Sequence, residues 1–486
     1  MKSLKENNLA RYIIILVSVL IIVAFKFIPA PEGLSQSGMA VIGVFLGVLI
    51  LWLTISIDWP SLLCILALGI LPELSFKNLF MASFGSDTFV FLFCTFICTY
   101  ALSTTNVIKK IALWFVSNKL AKKGPWWFIT MFFFSVIFIG MFVSPSVLFV
   151  VLLPILEEIY RITKIEKGSK VGKVLMIGLA ICVSISSGMT PIAHVFPILS
   201  FGIFQNITGQ TINYGSYMAI AIPVGIILTI LMILVFRIIL RPDVSVLKDV
   251  SLDEMKKELP KTSARDIVTL VIFGICVLLW VLPSIFQNVG DGAFYKLFNG
   301  YGTAFPAIIG VVLLCIIWVD GKPLVNIKDA CSKGVPFSSL IMCAGTLALG
   351  SAMTNDAIGL KSFLIDNLSS SLAGLAPFVL LIIFALWAAF QTNVSSNMVT
   401  ATIVTTVAMP IMLAVGSVQY CAICASIIGM LSAFAFATPP SMPHIAIASS
   451  SDWANTKDML IYGSIGALLS VILAVLVGYF MGLLVF

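Results

Sequence analysis

The chain has 486 residues, 60% hydrophobic and only 10% charged, with a mean hydropathy of +1.13. No soluble domain of this length has that composition, so the sequence belongs to an all-α polytopic membrane protein. The net charge of +7 does not point to nucleic acid, because the basic residues lie in short clusters between apolar segments.

The first apolar segment, roughly 12–29, is too long for a removed signal peptide and lacks a small-residue cleavage site. Apolar segments follow at 38–57, 60–72 and 85–105. Asn106 to Lys123 then mixes Ile, Leu, Trp and Phe with five lysines, as expected of a helix in the inner headgroup plane. Residues 126–156 read as a hairpin with Ser144-Pro145-Ser146 at its tip. The long span 174–205 is interrupted by Ser184-Ile185-Ser186-Ser187-Gly188-Met189-Thr190-Pro191, and 216–240 closes the first half. Asp243 to Arg265 is the one long polar loop.

The second half opens with spans at 267–285, 303–319 and 335–353, and with Asp356 to Ser370 as an outer interfacial helix. A second hairpin, 376–412, carries Gln391-Thr392-Asn393-Val394-Ser395-Ser396-Asn397-Met398 between apolar runs that reach Phe390 and Pro410. Neither arm reads as comfortably long enough to cross a bilayer alone. The pair therefore enters and turns back, with either Ser396-Asn397 or Asn393 at its tip. The span 418–450 is interrupted by Ala435-Phe436-Ala437-Thr438-Pro439-Pro440-Ser441, and 459–486 ends the chain.

With both hairpins re-entrant, eleven full crossings remain. An inside N-terminus then puts all the 28 Lys and Arg on the inner side except Lys26, Lys77, Lys296 and Lys361. The C-terminus falls outside. The hairpins enter from opposite faces, so the halves form an inverted repeat, the construction of secondary transporters. Proline removes an amide hydrogen and clashes with the preceding turn, so each interrupted span should unwind at its Thr-Pro. Unwinding frees carbonyls for a cation and offers half-helix amides to an anion.

His194 and His444 are the two histidines, each a few residues past a Thr-Pro. Each is either a packing residue or a proton-sensing or substrate-contacting one. The ten cysteines are scattered through apolar runs and read as core residues; Cys421-Ala422-Ile423-Cys424 lies in a span.

At these residues the chain resembles the divalent anion/sodium symporter family, carriers of dicarboxylates, citrate or sulfate. The family's tips read Ser-Asn-Thr and its second broken helix Ala-Thr-Pro-Pro-Asn. Here the second tip is Ser396-Asn397-Met398, the break is Ala437-Thr438-Pro439-Pro440-Ser441, and Asp458-Met459 also resembles the family. The resemblance implies a sodium site from Thr392, Ser396, Asn397 and carbonyls near Ala437. A degraded counterpart would use Ser144 and Gly188, because Pro145 stands where the family has Asn. Substrate contacts would come from Ser144, Ser146, Thr190, Pro191, Ser396, Asn397, Thr438, Pro439, Ser441, His194 and His444. Also implied are scaffold helices at 1–80 and 267–334, repeats at 81–242 and 335–486 joined by a cytoplasmic linker at 243–266, and a homodimer.

The sequence thus points to a non-enzymatic, elevator-type carrier in the cell membrane, moving di- or tricarboxylates with sodium as coupling ion. Rival readings are an anion exchanger or proton-coupled carrier, sulfate as substrate, a channel, and an intramembrane hydrolase using Ser186 or Ser187. The chain has no GxSxG or HExxH motif to support the hydrolase.

Overall fold

The computed structural model describes residues 8–248, 250, 257, 259–289, 292–372 and 375–486. Among the described residues the regular structure is helical, apart from one two-stranded hairpin, Trp318–Val319 with Lys322–Pro323. The chain reverses there at Asp320 and Gly321, both at positive φ, the turn chemistry that matches strand twist. That Asp-Gly pair was the available signal, masked by the apolar run that precedes it.

Eight helices among the described residues are long and apolar enough to cross a membrane, or nine counting the bent pair Phe76–Ala82 and Asp87–Ser103, which meet at 48°. The remaining apolar helices, such as Trp59–Gly69 with 11 residues and Ala304–Ile316 with 13, are shorter. Length and composition alone therefore support fewer crossings than the sequence reading of eleven. The difference lies in these short helices and in how hairpin arms and broken spans are counted.

Both hairpins form. The first is Pro125–Gly140 with Pro145–Thr163, the second Pro377–Val394 with Asn397–Val415. Three of the four arms begin on proline in the first turn, where the missing amide costs nothing. The expectation of short arms in the second hairpin is corrected: they run 18 and 19 residues, each about 28 Å. Gln391, Thr392 and Asn393 are the last turn of the first arm, so the tip narrows to Ser395 and Ser396.

Both long spans are broken where the prolines stand. Lys170–Met189 gives way to an extended Thr190, and the helix resumes at Val195–Thr208. Val418–Ala433 ends at Phe434, a single 3-10 turn forms at Pro439–Ser441, and the α-helix resumes at Pro443–Ser450. The broken spans cross closely at Gly429, where an added Cβ would lie 2.8 Å from Pro197 Cα.

The expected interfacial helix, Val107–Ser117, buries Val107, Ile108, Ala112, Leu113 and Val116 and leaves Lys109 and Trp114 exposed. Its expected counterpart forms as Leu360–Leu372, where Lys361 Nζ caps the end of Val195–Thr208 through Ile207 O at 2.7 Å. The start of the first broken span and the helix before it are latched to the start of the last span and the turn before it. Lys173 pairs with Asp458 at 3.0 Å, and Tyr160 stacks on Trp453 at 3.7 Å. All ten cysteines are unpaired, and Cys421 and Cys424 are buried in Val418–Ala433.

Candidate functional site

The second hairpin is sewn to the second break by Asn393. Its side-chain oxygen accepts from the amides of Phe436 and Ala437, both at 2.8 Å. Its side-chain nitrogen donates to Ala389 O at 2.8 Å and Phe434 O at 3.4 Å. Its own carbonyl accepts from the Thr438 hydroxyl, and Ser441 Oγ closes the break onto Thr438 O at 2.6 Å. One residue earlier, Thr392 Oγ1 donates to Ser432 O at 2.7 Å, leaving its oxygen lone pairs for a further ligand. Asn393 is therefore a saturated clamp.

Asn397 is the opposite case. It is 5% exposed, and both atoms of its amide are buried with no partner among the described residues. A buried amide left unpaired is costly, and such groups cluster where ligands bind. Ser396 precedes it as the residue that starts the second arm, its hydroxyl not used in capping.

The first hairpin repeats the stitch. The Thr190 hydroxyl donates to Met141 O, as Thr438 donates to Asn393 O. Each accepting carbonyl lies three residues before a serine, Ser144 or Ser396, that starts the second arm without capping it. In that register Pro145 occupies the place of Asn397. Gly188 O accepts the Tyr217 hydroxyl, so the carbonyl expected for a first cation site already has a partner.

Ser144, Pro145, Ser146 and His194 line one cavity of about 290 Å³ with Thr99, Tyr100, Lys333 and Ser339. Two helices, Pro145–Thr163 and Val195–Thr208, begin at its wall. Helix N-termini carry partial positive charge and free amides, so two converging there favour an anion. Pro191, Thr190 and the second-repeat residues Ser396, Asn397, Thr438, Pro439 and Ser441 are not part of that lining. Thr99, Tyr100 and Lys333 were missed from sequence, because they lie at the ends of other helices with no motif around them.

The histidines divide. His194 is half-buried at the cavity, where its Nδ1 accepts from Val195 N at 3.0 Å. His444 is fully buried behind it, its Nε2 2.7 Å from Ser184 Oγ. Ser184 donates to Ala435 O at 3.0 Å. With that hydrogen committed, the ring donates from Nε2 and Nδ1 is left bare. Ser184, rather than Ser186 or Ser187, is thus the histidine's partner. The latter two donate to Val183 O and Ser184 O of their own helix, an arrangement without an activated nucleophile.

His194→Ala is accordingly expected to raise the substrate concentration for half-maximal uptake, because His194 lines the cavity, whereas His444→Ala should mainly lower the melting temperature. Equal half-maximal concentrations for wild type and His194→Ala would confine His194 to capping its helix.

Residues 6–486 match the family described as "Sodium:sulfate symporter transmembrane region". The sodium-dependent dicarboxylate transporter SdcS of Staphylococcus saprophyticus is 24% identical over 502 residues, covering 99% of this chain and 93% of that protein. The protein of the same name from Staphylococcus aureus (strain NCTC 8325 / PS 47) is 25% identical over 475 residues, covering 93% and 87%. The crystal structure of the Alcanivorax borkumensis YdaH transporter, described as having an unusual topology, is similar in fold. Its TM-score is 0.54 at 15% identity, over 84% of this chain and 88% of that one.

Proposed function

The chain belongs to the sodium:sulfate symporter family of sodium-coupled anion symporters, and from that membership we propose that it carries a small di- or tricarboxylate by an elevator-type movement. It is a transporter and not an enzyme. The observation that carries the substrate class is the cavity of about 290 Å³, walled by Ser144, Ser146, His194 and two helix N-termini. It is near the lower end of ordinary ligand pockets, about 300–1,000 Å³, with room for a carboxylate at each helix end. The dicarboxylate named for the two staphylococcal relatives supports the same class.

We assign sodium to the second hairpin. Thr392, Ser396 and Asn397 offer neutral oxygens on the hairpin that Asn393 ties to the unwound Phe434 to Thr438. The first tip is weaker for a cation, because Pro145 brings neither a side-chain oxygen nor an amide hydrogen. The matched Thr190–Met141 and Thr438–Asn393 bonds support an inverted repeat. In such a repeat, ion and substrate binding bias a two-state carrier between inward and outward forms.

Uptake into proteoliposomes across sulfate, succinate and citrate tests this. Accumulation of succinate or citrate only with an inward sodium gradient is expected, with trans-stimulation by internal substrate. Sulfate-only accumulation would refute the carboxylate assignment, and flux without trans-stimulation would refute the carrier.

On the charge asymmetry of the sequence, with most Lys and Arg inside, we take the Lys333 wall of the cavity to face the cytoplasm. A cysteine introduced at Lys248 is then expected to react only from the cytoplasm and one appended after Phe486 only from outside. Labelling of both from one face would remove the inverted repeat.

A further inference from the structure

A second concavity adjoins the anion cavity, and Val143 lines both. It is an apolar groove of about 200 Å³ whose walls include Phe138 and Phe142 of the first hairpin, Ile108 and Ile111 of the interfacial helix, and Leu270 and Phe273 of the span Ala264–Val289. Phe138 and Leu270 are exposed at its edge. Gly274 keeps it open, since a Cβ there would meet no atom within 4 Å. Along its helix the groove reaches Val277, about 20 Å from the start at Ala264. That depth is comparable with the hydrocarbon of one leaflet, about 15 Å.

The charge that the 107–123 segment exposes has one sign. The interfacial helix and the turn after it expose Lys109, Lys119, Lys122 and Lys123, while Lys110 faces Asp266 at 3.9 Å. The sequence carries no acidic residue between Asp87 and Glu157. Lysines at this height attract an anionic headgroup, and an apolar slot reaching inward from them matches a fatty chain.

We infer that this groove seats one acyl chain of an anionic phospholipid, with its headgroup phosphate on the lysines of the 107–123 segment. Seated there, the chain backs Val143 and so completes the wall between the anion cavity and the bilayer. The inference rests on the membrane placement given above and not on which anion is carried.

The test uses the full chain in phosphatidylcholine vesicles doped with phosphatidylglycerol bearing a diazirine near the end of one acyl chain. After illumination, adducts are mapped by mass spectrometry. Peptides holding residues 138–143 and 270–277 are expected to be labelled at least about threefold above the exposed apolar helix Asn8–Ala24. Gly274→Leu and Gly274→Phe, at a position where an added Cβ meets nothing within 4 Å, should remove that excess while Asn8–Ala24 labels as before. Labelling equal to Asn8–Ala24, or unchanged in both variants, would overturn the site. The same diazirine on phosphatidylcholine should show a smaller excess, and an equal one would overturn the assignment of the headgroup to the lysines.

Discussion

Asn397→Ala is expected to abolish sodium-dependent uptake while leaving the protein folded, whereas Asn393→Ala should unfold it more easily. The two residues lie one helical turn apart in sequence and share a type, so composition cannot separate them. Their hydrogen bonds do. Asn393 satisfies the buried amides of Phe436 and Ala437, and each would be left without a partner at a cost of about 1–3 kcal/mol. The expected destabilisation is therefore about 2–6 kcal/mol, read as a lower melting temperature in detergent. Truncating Asn397 removes a buried amide with no protein partner, so stability should hold or rise slightly. A variant at 397 with wild-type sodium dependence would exclude it from the cation site. A variant at 393 that melts like wild type would break the clamp argument.

Much of this architecture was legible from sequence because it rests on local signals. The Thr190-Pro191 and Thr438-Pro439 pairs broke their helices because proline lacks the amide and obstructs the preceding turn. The two hairpins followed from polar tips between apolar arms. The limits of the second tip were not legible, since Gln391 to Asn397 reads as one polar run. The helix continues to Val394 because the Asn393 amide pairs with backbone more than 40 residues on. The division of labour between the histidines was hidden for the same reason. His444 meets Ser184 across 260 residues, a distance at which neither period nor propensity carries information. Such long-range polar pairs join the two halves, so the residues that set the candidate site's geometry outnumber those its motifs reveal.

The last span helps to set that geometry. Gly463 of Thr456–Leu473 lies against the second break, where an added Cβ would sit 2.4 Å from Phe436 O and 2.6 Å from Ala437 Cα. Those are backbone atoms, so no rotamer change relieves the overlap. Either the helix or the break must move, and overpacking of this kind costs about 1–3 kcal/mol. Three residues on, a Cβ at Gly466 would meet only side-chain atoms, Phe436 Cδ2 at 3.3 Å and Met232 Sδ at 3.4 Å. Those can yield by a few tenths of an ångström. Gly463→Ala is thus expected to raise the sodium concentration for half-maximal uptake by roughly tenfold, since 1.4 kcal/mol of displacement at the carbonyls is worth that factor. Gly466→Ala, on the same helix face, should shift it less than about twofold. The pair is read from sodium titrations of uptake at saturating substrate, with purified protein compared by gel filtration. If Gly463→Ala folds and titrates like Gly466→Ala, the carbonyls of Phe436 and Ala437 are not sodium ligands.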